Sequence, residues 1–314
     1  MRTATTIAGY GLALAVVVGG AWTAGAAIGP VETGTPPAAG HEMDAPAPAH
    51  DMGTMAAPAS DVPPGLAAAR DGYRLHVVDT VLPTGTPVPL RFHVLGPDEK
   101  PVTAFDVAHE KELHLILVRR DGVHYQHLHP VLAADGTWSL DVALPAAGTY
   151  RLIADFTPRG GTATTLGTDI QAAGEFRPAL PPPSRVSTVD GYQVTMGGTL
   201  VPGADSPVTV TVTRDGTPVT DLQPYLGAFG HLVSLREADL AYLHVHPLGT
   251  PSDGRTATGP GVGFSVDVST QGRYRLFFDF RHEGKVRTAE FTVDTTGDAA
   301  PAAPQDAAPH GHGG

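Results

Sequence analysis

His114-Leu-Ile-Leu-Val-Arg-Arg-Asp-Gly-Val-His-Tyr-Gln-His-Leu-His-Pro130 returns without a gap as His231-Leu-Val-Ser-Leu-Arg-Glu-Ala-Asp-Leu-Ala-Tyr-Leu-His-Val-His-Pro247. Seven of these 17 aligned positions are identical, and three of the seven are histidines. The match extends outward on both sides. Gly72-Tyr73 answers Gly191-Tyr192, and Pro101-Val-Thr103 answers Pro218-Val-Thr220. Further on, Gly148-Thr-Tyr-Arg-Leu-Ile-Ala-Asp-Phe156 answers Gly272-Arg-Tyr-Arg-Leu-Phe-Phe-Asp-Phe280. The order of the matches is kept, the offset growing by seven before the last of them because the second copy has a longer loop there; such internal self-similarity marks a duplicated structural unit.

Each copy reads as β-structure. Trp138, Leu140 and Val142 alternate with polar neighbours, as do Val208, Val210 and Val212, and Val262, Phe264, Val266 and Val268. A period of two marks strands with one buried face, and turn residues at short, regular intervals mark a sandwich. Gly148-x-Tyr150 and Gly272-x-Tyr274 enter the strongest strand of each copy, in the manner of the tyrosine corner of immunoglobulin-like domains. The expected fold is all-β, two tandem immunoglobulin-like β-sandwiches. Around them the chain divides into a hydrophobic signal peptide or membrane anchor (1–30), a disordered stalk (31–70), repeat 1 (71–178), a Pro-rich linker (179–185), repeat 2 (186–295) and a disordered tail (296–314). Ile7 to Ile28 carries no charge and is long enough to span a bilayer as a helix. A Pro-rich linker should leave two sandwiches that fold independently.

Composition narrows the function. The 314 residues include 38 Gly and 30 Pro, too many for a helical bundle. A formal net charge of −12 argues against nucleic acid and anionic lipid as partners. There is no cysteine, which excludes disulfides, thiolate zinc sites, iron–sulfur clusters, blue-copper centres and cysteine nucleophiles. Fifteen histidines remain, unevenly placed.

The spacing His-x12-His-x-His occurs twice, as His114, His127, His129 and as His231, His244, His246. Residues i and i+2 of a strand share a face, so each His-x-His pair projects together. Asp121-Gly122 is a favoured type I′ turn, and that loop places His114 opposite His129. Cross-strand neighbours lie close enough to share an ion, and a one-residue slip would break the set. Neutral imidazoles suit copper or zinc and suit Mg or Ca poorly. Asp155 and Asp279 sit at equivalent places in otherwise apolar strands and are candidates to orient the imidazoles or to serve as ligands themselves; His109 and His124 are candidates for the outer role. The other reading of these histidines is a hydrogen-bonded polar cluster without metal. His41, Met43, His50, Met52 and Met55 in the stalk, with His310 and His312 in the tail, form a candidate soft-metal collector for Cu(I) or Ag(I).

On the His114–Pro130 hairpin and the Gly-x-Tyr-Arg-Leu-x-x-Asp-Phe strand, the chain resembles exported actinobacterial proteins of tandem immunoglobulin-like domains. More loosely, a His/Met-rich stalk on a sandwich resembles extracytoplasmic copper-handling proteins. The resemblance implies an envelope protein of heavy-metal homeostasis, held by its N-terminal helix or secreted. The function expected is a carrier, buffer or sensor of copper (alternatively zinc), not an enzyme, with a membrane metal transporter as partner. The competing readings are a structural or adhesive tandem sandwich without metal and, behind it, a two-copper oxygenase.

Overall fold

The computed structural model describes residues 62–295, whose regular structure is all strands apart from one 3-10 turn at Pro251–Asp253. Repeat 1 contributes β1 (Ala69–Arg70), β2 (Tyr73–Val77), β3 (Val81–Leu82), β4 (Val88–Leu95), β5 (Phe105–Asp106) and β6 (Leu113–Arg119). It continues with β7 (Gln126–Leu128), β8 (Val131–Leu132), β9 (Trp138–Val142), β10 (Gly148–Pro158) and β11 (Thr164–Ala172). Repeat 2 supplies β12 (Val186–Val189), β13 (Tyr192–Gly198), β14 (Ala204–Arg214), β15 (Thr217–Pro218) and β16 (His231–Arg236). Its remaining strands are β17 (Tyr242–Leu243), β18 (Val245–Pro247), β19 (Gly261–Val268), β20 (Arg273–His282) and β21 (Lys285–Asp294).

In repeat 1 a sheet ordered β1-β2-β4-β9-β8 faces one ordered β3-β11-β10-β6-β7. Repeat 2 follows the same plan, with β12-β13-β14-β19-β18 against β17-β16-β20-β21. The alternating residues fill two separate cores. One holds Phe92, Phe105, Trp138 and Tyr150, the other Tyr192, Phe264, Tyr274 and Phe291. Both tyrosine corners form. The Tyr150 hydroxyl donates to the Ala146 carbonyl at 2.9 Å, and that of Tyr274 to the Thr270 carbonyl at 2.7 Å. Each bond ties a late strand to the loop entering it, as in immunoglobulin-like sandwiches.

A third apolar cluster lies between the repeats, and it changes the expected organisation. In β6, Leu113, Leu115 and Leu117 point into repeat 1, while Ile116 and Val118 point outward. In β16 and β20, Val233, Leu235 and Phe277 point out of repeat 2. With Ile153 and Tyr125 they form one buried layer. Tyr125 stacks on Phe277 with ring centroids 4.0 Å apart and planes 4° off parallel. Polar groups frame the layer: Arg275 Nε–H donates to the Gly122 carbonyl at 2.8 Å. The repeats are therefore docked sheet to sheet, not strung on a spacer. The reason is apolar outer faces, which water would otherwise cover at a cost of about 25 cal/mol per Å².

The end of the expected stalk is also packed. The Arg151 guanidinium grips the Gly65 carbonyl at 2.7 Å, and Tyr242 N–H donates to the Pro64 carbonyl at 2.9 Å. Ala69–Arg70 already pairs with β2. The stalk's boundary at residue 70 is thus several residues too late. Gly65, at φ +74, approaches Ile153 so closely that a Cβ would sit 3.2 Å from it.

Candidate metal centre

The histidine cluster sits at one end of the layer between the repeats. Strand β6 carries His114 on its outward face, with Ile116 and Val118. The β6–β7 register pairs Ile116 with His127 and Leu115 with Leu128, so its continuation sets His114 opposite His129. This is the register expected from the sequence, reached by a different turn. Gly122, at φ +75, donates to the Arg119 carbonyl, and Arg119 N–H donates to the Val123 carbonyl. The loop is therefore one residue longer than a type I′ turn, and His124, at φ +57, takes up the offset as a bulge. That bulge leaves His124 at the turn end beside Arg119, away from His114; it is not an outer partner of the cluster.

Three ring nitrogens converge. His114 Nδ1 lies 3.0 Å from His127 Nε2 and 3.3 Å from His129 Nε2, and one ligand atom of each residue lies within 4.8 Å of the other two. Metal–nitrogen bonds of about 2.0–2.1 Å give ligand-to-ligand edges of about 2.9–3.4 Å, depending on geometry. The two measured separations fall in that range.

The protons are placed by the neighbours. His127 Nδ1 lies 2.9 Å from Asp279 Oδ2, a carboxylate supplied by repeat 2, so the N–H points outward and Nε2 keeps its lone pair. His114 Nε2–H donates to the Ala108 carbonyl at 3.1 Å, and Nδ1 keeps its lone pair. Two lone pairs thus face each other across 3.0 Å. Neutral nitrogens in that arrangement repel unless a proton or a metal ion lies between them. Burial and the neighbouring imidazoles push His114 down to about 3 and His129 down to about 3, and burial brings His231 down to about 4. His114, His129 and His231 therefore resist protonation and keep their lone pairs for a ligand role at neutral pH.

Asp279 thus reaches its imidazole across the interface, and Thr288 Oγ1–H steadies its other oxygen at 2.6 Å. His109, expected as an outer member, joins the cluster: its ring packs edge-on to His114 at 6.1 Å and to His231 at 5.4 Å. The second triad does not assemble. His231 turns toward the first cluster, its ring 6.3 Å from His114 and 6.2 Å from His127, with Nε2–H on the Leu226 carbonyl. His244 and His246 are exposed, their rings 6.3 Å apart. The cause is where the chain changes sheets. In repeat 1 it crosses after Leu128 and pairs again at Val131, beyond His129's position in the hairpin. In repeat 2 it leaves β17 at Leu243 and pairs with β19 already at Val245, carrying His246 opposite Ser265 in the other sheet. Strand β19 has eight residues where β9 has five, and so offers the extra edge.

Asp155 bonds to no imidazole; its Oδ1 accepts from Thr165 at 2.7 Å, and burial pushes its carboxyl up. It lines a cavity of about 140 Å³ together with His231, His244 and His246. Sequence reasoning missed Tyr225, whose ring stands 6.0 Å from His231 and 6.5 Å from His129; a loop tyrosine with no counterpart in repeat 1 carried no signal. The stalk and tail candidates His41, Met43, His50, Met52, Met55, His310 and His312 lie outside the described residues, as does the apolar stretch of 1–30. Among the described residues no helix is long and apolar enough to cross a membrane.

Fold and arrangement define a tandem immunoglobulin-like β-sandwich protein with a histidine cluster between its repeats. The chain belongs to the family of a domain of unknown function, DUF8832, whose pattern matches residues 67–174 and again 187–297. No curated protein sequence matches it. Among solved structures it is similar to FdeC, an adhesin of Escherichia coli (14% identity, 72% of this chain, 64% of that one, TM-score 0.25). It is similar also to invasin, a bacterial integrin-binding protein (12%, 71% and 39%, 0.22). A third is a segment of two fibronectin type III domains from chicken tenascin (13%, 70% and 97%, 0.21). The chain spans less than two thirds of the first two. These scores reflect repeated sandwiches and carry no functional argument.

Proposed function

We propose that this is an extracytoplasmic metal-binding protein in which His114, His127 and His129 hold one ion, copper in preference to zinc. The observation that carries the reading is the 3.0 Å contact between His114 Nδ1 and His127 Nε2, whose outward N–H groups are both committed to acceptors. An ion between the lone pairs resolves that contact. A nitrogen-only donor set of neutral imidazoles ranks Cu(II) above Zn(II) in affinity. Asp279 performs the outer-shell role, fixing the tautomer and orientation of His127. Carriage, buffering or sensing all need such a site, and the envelope location and a transporter partner extend the same proposal.

The second reading is a structural or adhesive tandem sandwich of the cell envelope. One added proton, shared by the same two nitrogens, would turn the cluster into a hydrogen-bonded clamp between the repeats. The large apolar layer between the sandwiches favours this reading. A thermal-shift measurement separates the two. With ligand at a hundredfold excess over Kd, an ion that binds only the folded state adds about 2.7 kcal/mol. Copper should raise the Tm of the tag-free, metal-stripped chain at pH 7, and His127→Ala with His129→Ala should remove most of the rise. Equal shifts in parent and double variant would support the clamp.

A further inference from the structure

The two repeats do not use their equivalent residues in the same way. Asp279 of repeat 2 reaches across to His127 of repeat 1. The internal duplication makes Asp155 the counterpart of Asp279 and His244 the counterpart of His127. Thr165, which donates to Asp155, is likewise the counterpart of Thr288, since both lie opposite their aspartate in the neighbouring strand. Asp155 therefore has its threonine but lacks its histidine. In place of that bond lies the 140 Å³ cavity, which is lined by Asp155, His244 and His246 together with His114, His127 and His231 of the first cluster. Its volume is far more than the ~30 Å³ a water occupies.

We infer that this cavity is a second metal site, composite in the opposite sense to the first: Asp155 from repeat 1 with His244 and His246 from repeat 2. A carboxylate with two imidazoles is a borderline donor set suited to Zn(II) or Cu(II). The Asp155 carboxylate is a largely buried anion that accepts only from Thr165 among the described residues, so a cation is the partner its environment lacks. His244 and His246 are exposed and their imidazoles make no hydrogen bond to a described residue, so the rings are free to turn inward. Their ligand atoms are not gathered within 4.8 Å as those of the first triad are, so the site closes on an ion by side-chain rotation. His231 stands between the two sites, near both His114 and the cavity.

The inference extends the metal-binding reading but is tested separately from it. Zn(II) is the probe, because the thioethers of the stalk compete for it poorly. Tightly bound zinc per chain would be measured by equilibrium dialysis on the full, tag-free chain and on two double variants. Asp155→Asn with His244→Ala should lose one ion per chain and keep the first site's; His127→Ala with His129→Ala should lose the other. Asn preserves the acceptor for Thr165, and His244 is exposed, so the first pair should leave the metal-free Tm unchanged and any loss of zinc is read as loss of a ligand. If Asp155→Asn with His244→Ala binds as much zinc as the parent while the His127 pair loses an ion, the second site is refuted and the first stands. If neither double variant loses an ion, both are refuted.

Discussion

At the residue scale, the behaviour of the cluster depends on who holds each proton. His114, His129 and His231 are held neutral well below the ordinary histidine value of about 6.5, chiefly by burial. The unfolded chain binds protons at these positions below that value, and the folded chain refuses them until about 4 and then about 3. Folding stability contributed here is therefore fully present above pH 6.5 and falls as pH drops toward 4. A metal-free Tm series should hold from pH 7.5 to 6.5 and decline from there to pH 4, and His114→Asn should make that decline shallower. A profile of unchanged slope in that variant would show that the imidazole is not held neutral. Asp279 acts at the same scale. Loss of an outer-shell partner costs metal affinity about 10–100-fold, so Asp279→Asn should weaken copper binding by that factor. An unchanged Kd in a copper titration against a competing chelator would remove Asp279 from the account.

At the scale of the elements, the strands that matter most are buried on both faces. Every residue of β6 is buried, and β20 is buried over seven consecutive positions. Phe277 is fully buried, yet it faces the other repeat and not its own core. Phe277→Ala should cost about 3–5 kcal/mol, as for a core phenylalanine. A loss under 1 kcal/mol in a urea titration would mean that the layer between the repeats contributes little. This layer marks the limit of what was legible in the sequence. Period-two alternation in Trp138–Val142 and Val262–Val268 disclosed the sandwiches, and the repeated Gly-x-Tyr disclosed the corners. The hairpin register was legible too, from Asp121-Gly122 as the turn, although the loop is one residue longer and the His124 bulge restores the pairing. The apolar runs Leu115–Val118 and Leu276–Phe278 have the pattern of strands buried on both faces, a feature that period-two alternation alone does not bring out. Nothing in spacing alone said that the covering surface was the other repeat. The early crossing at His244 was likewise hidden, since it depends on the length of β19, a strand distant in sequence.

At the scale of the whole molecule, the repeats behave as one body whose interface carries the site. Ile116, Val118, Val233, Leu235 and Phe277 would meet water if the repeats were parted. Fragments 62–178 and 184–295, made separately, should therefore be less stable than the joined chain and should recombine on mixing into a one-to-one complex. Two monomers with the parent's Tm and no mutual affinity would overturn the docking. Once docked, repeat 1 supplies three imidazoles and repeat 2 the carboxylate that orients one of them. Metal binding and docking should then reinforce each other, each stabilising the state the other needs. The central claim is that an ion lies among His114, His127 and His129. The measurement that tests it most directly is an anomalous-difference map from crystals of the copper-loaded chain, collected across the copper edge. The account predicts a peak bonded to His114 Nδ1, His127 Nε2 and His129 Nε2, with Asp279 still on His127 Nδ1. Copper-replete crystals with no peak there, and the three rings joined by hydrogen bonds alone, would contradict it.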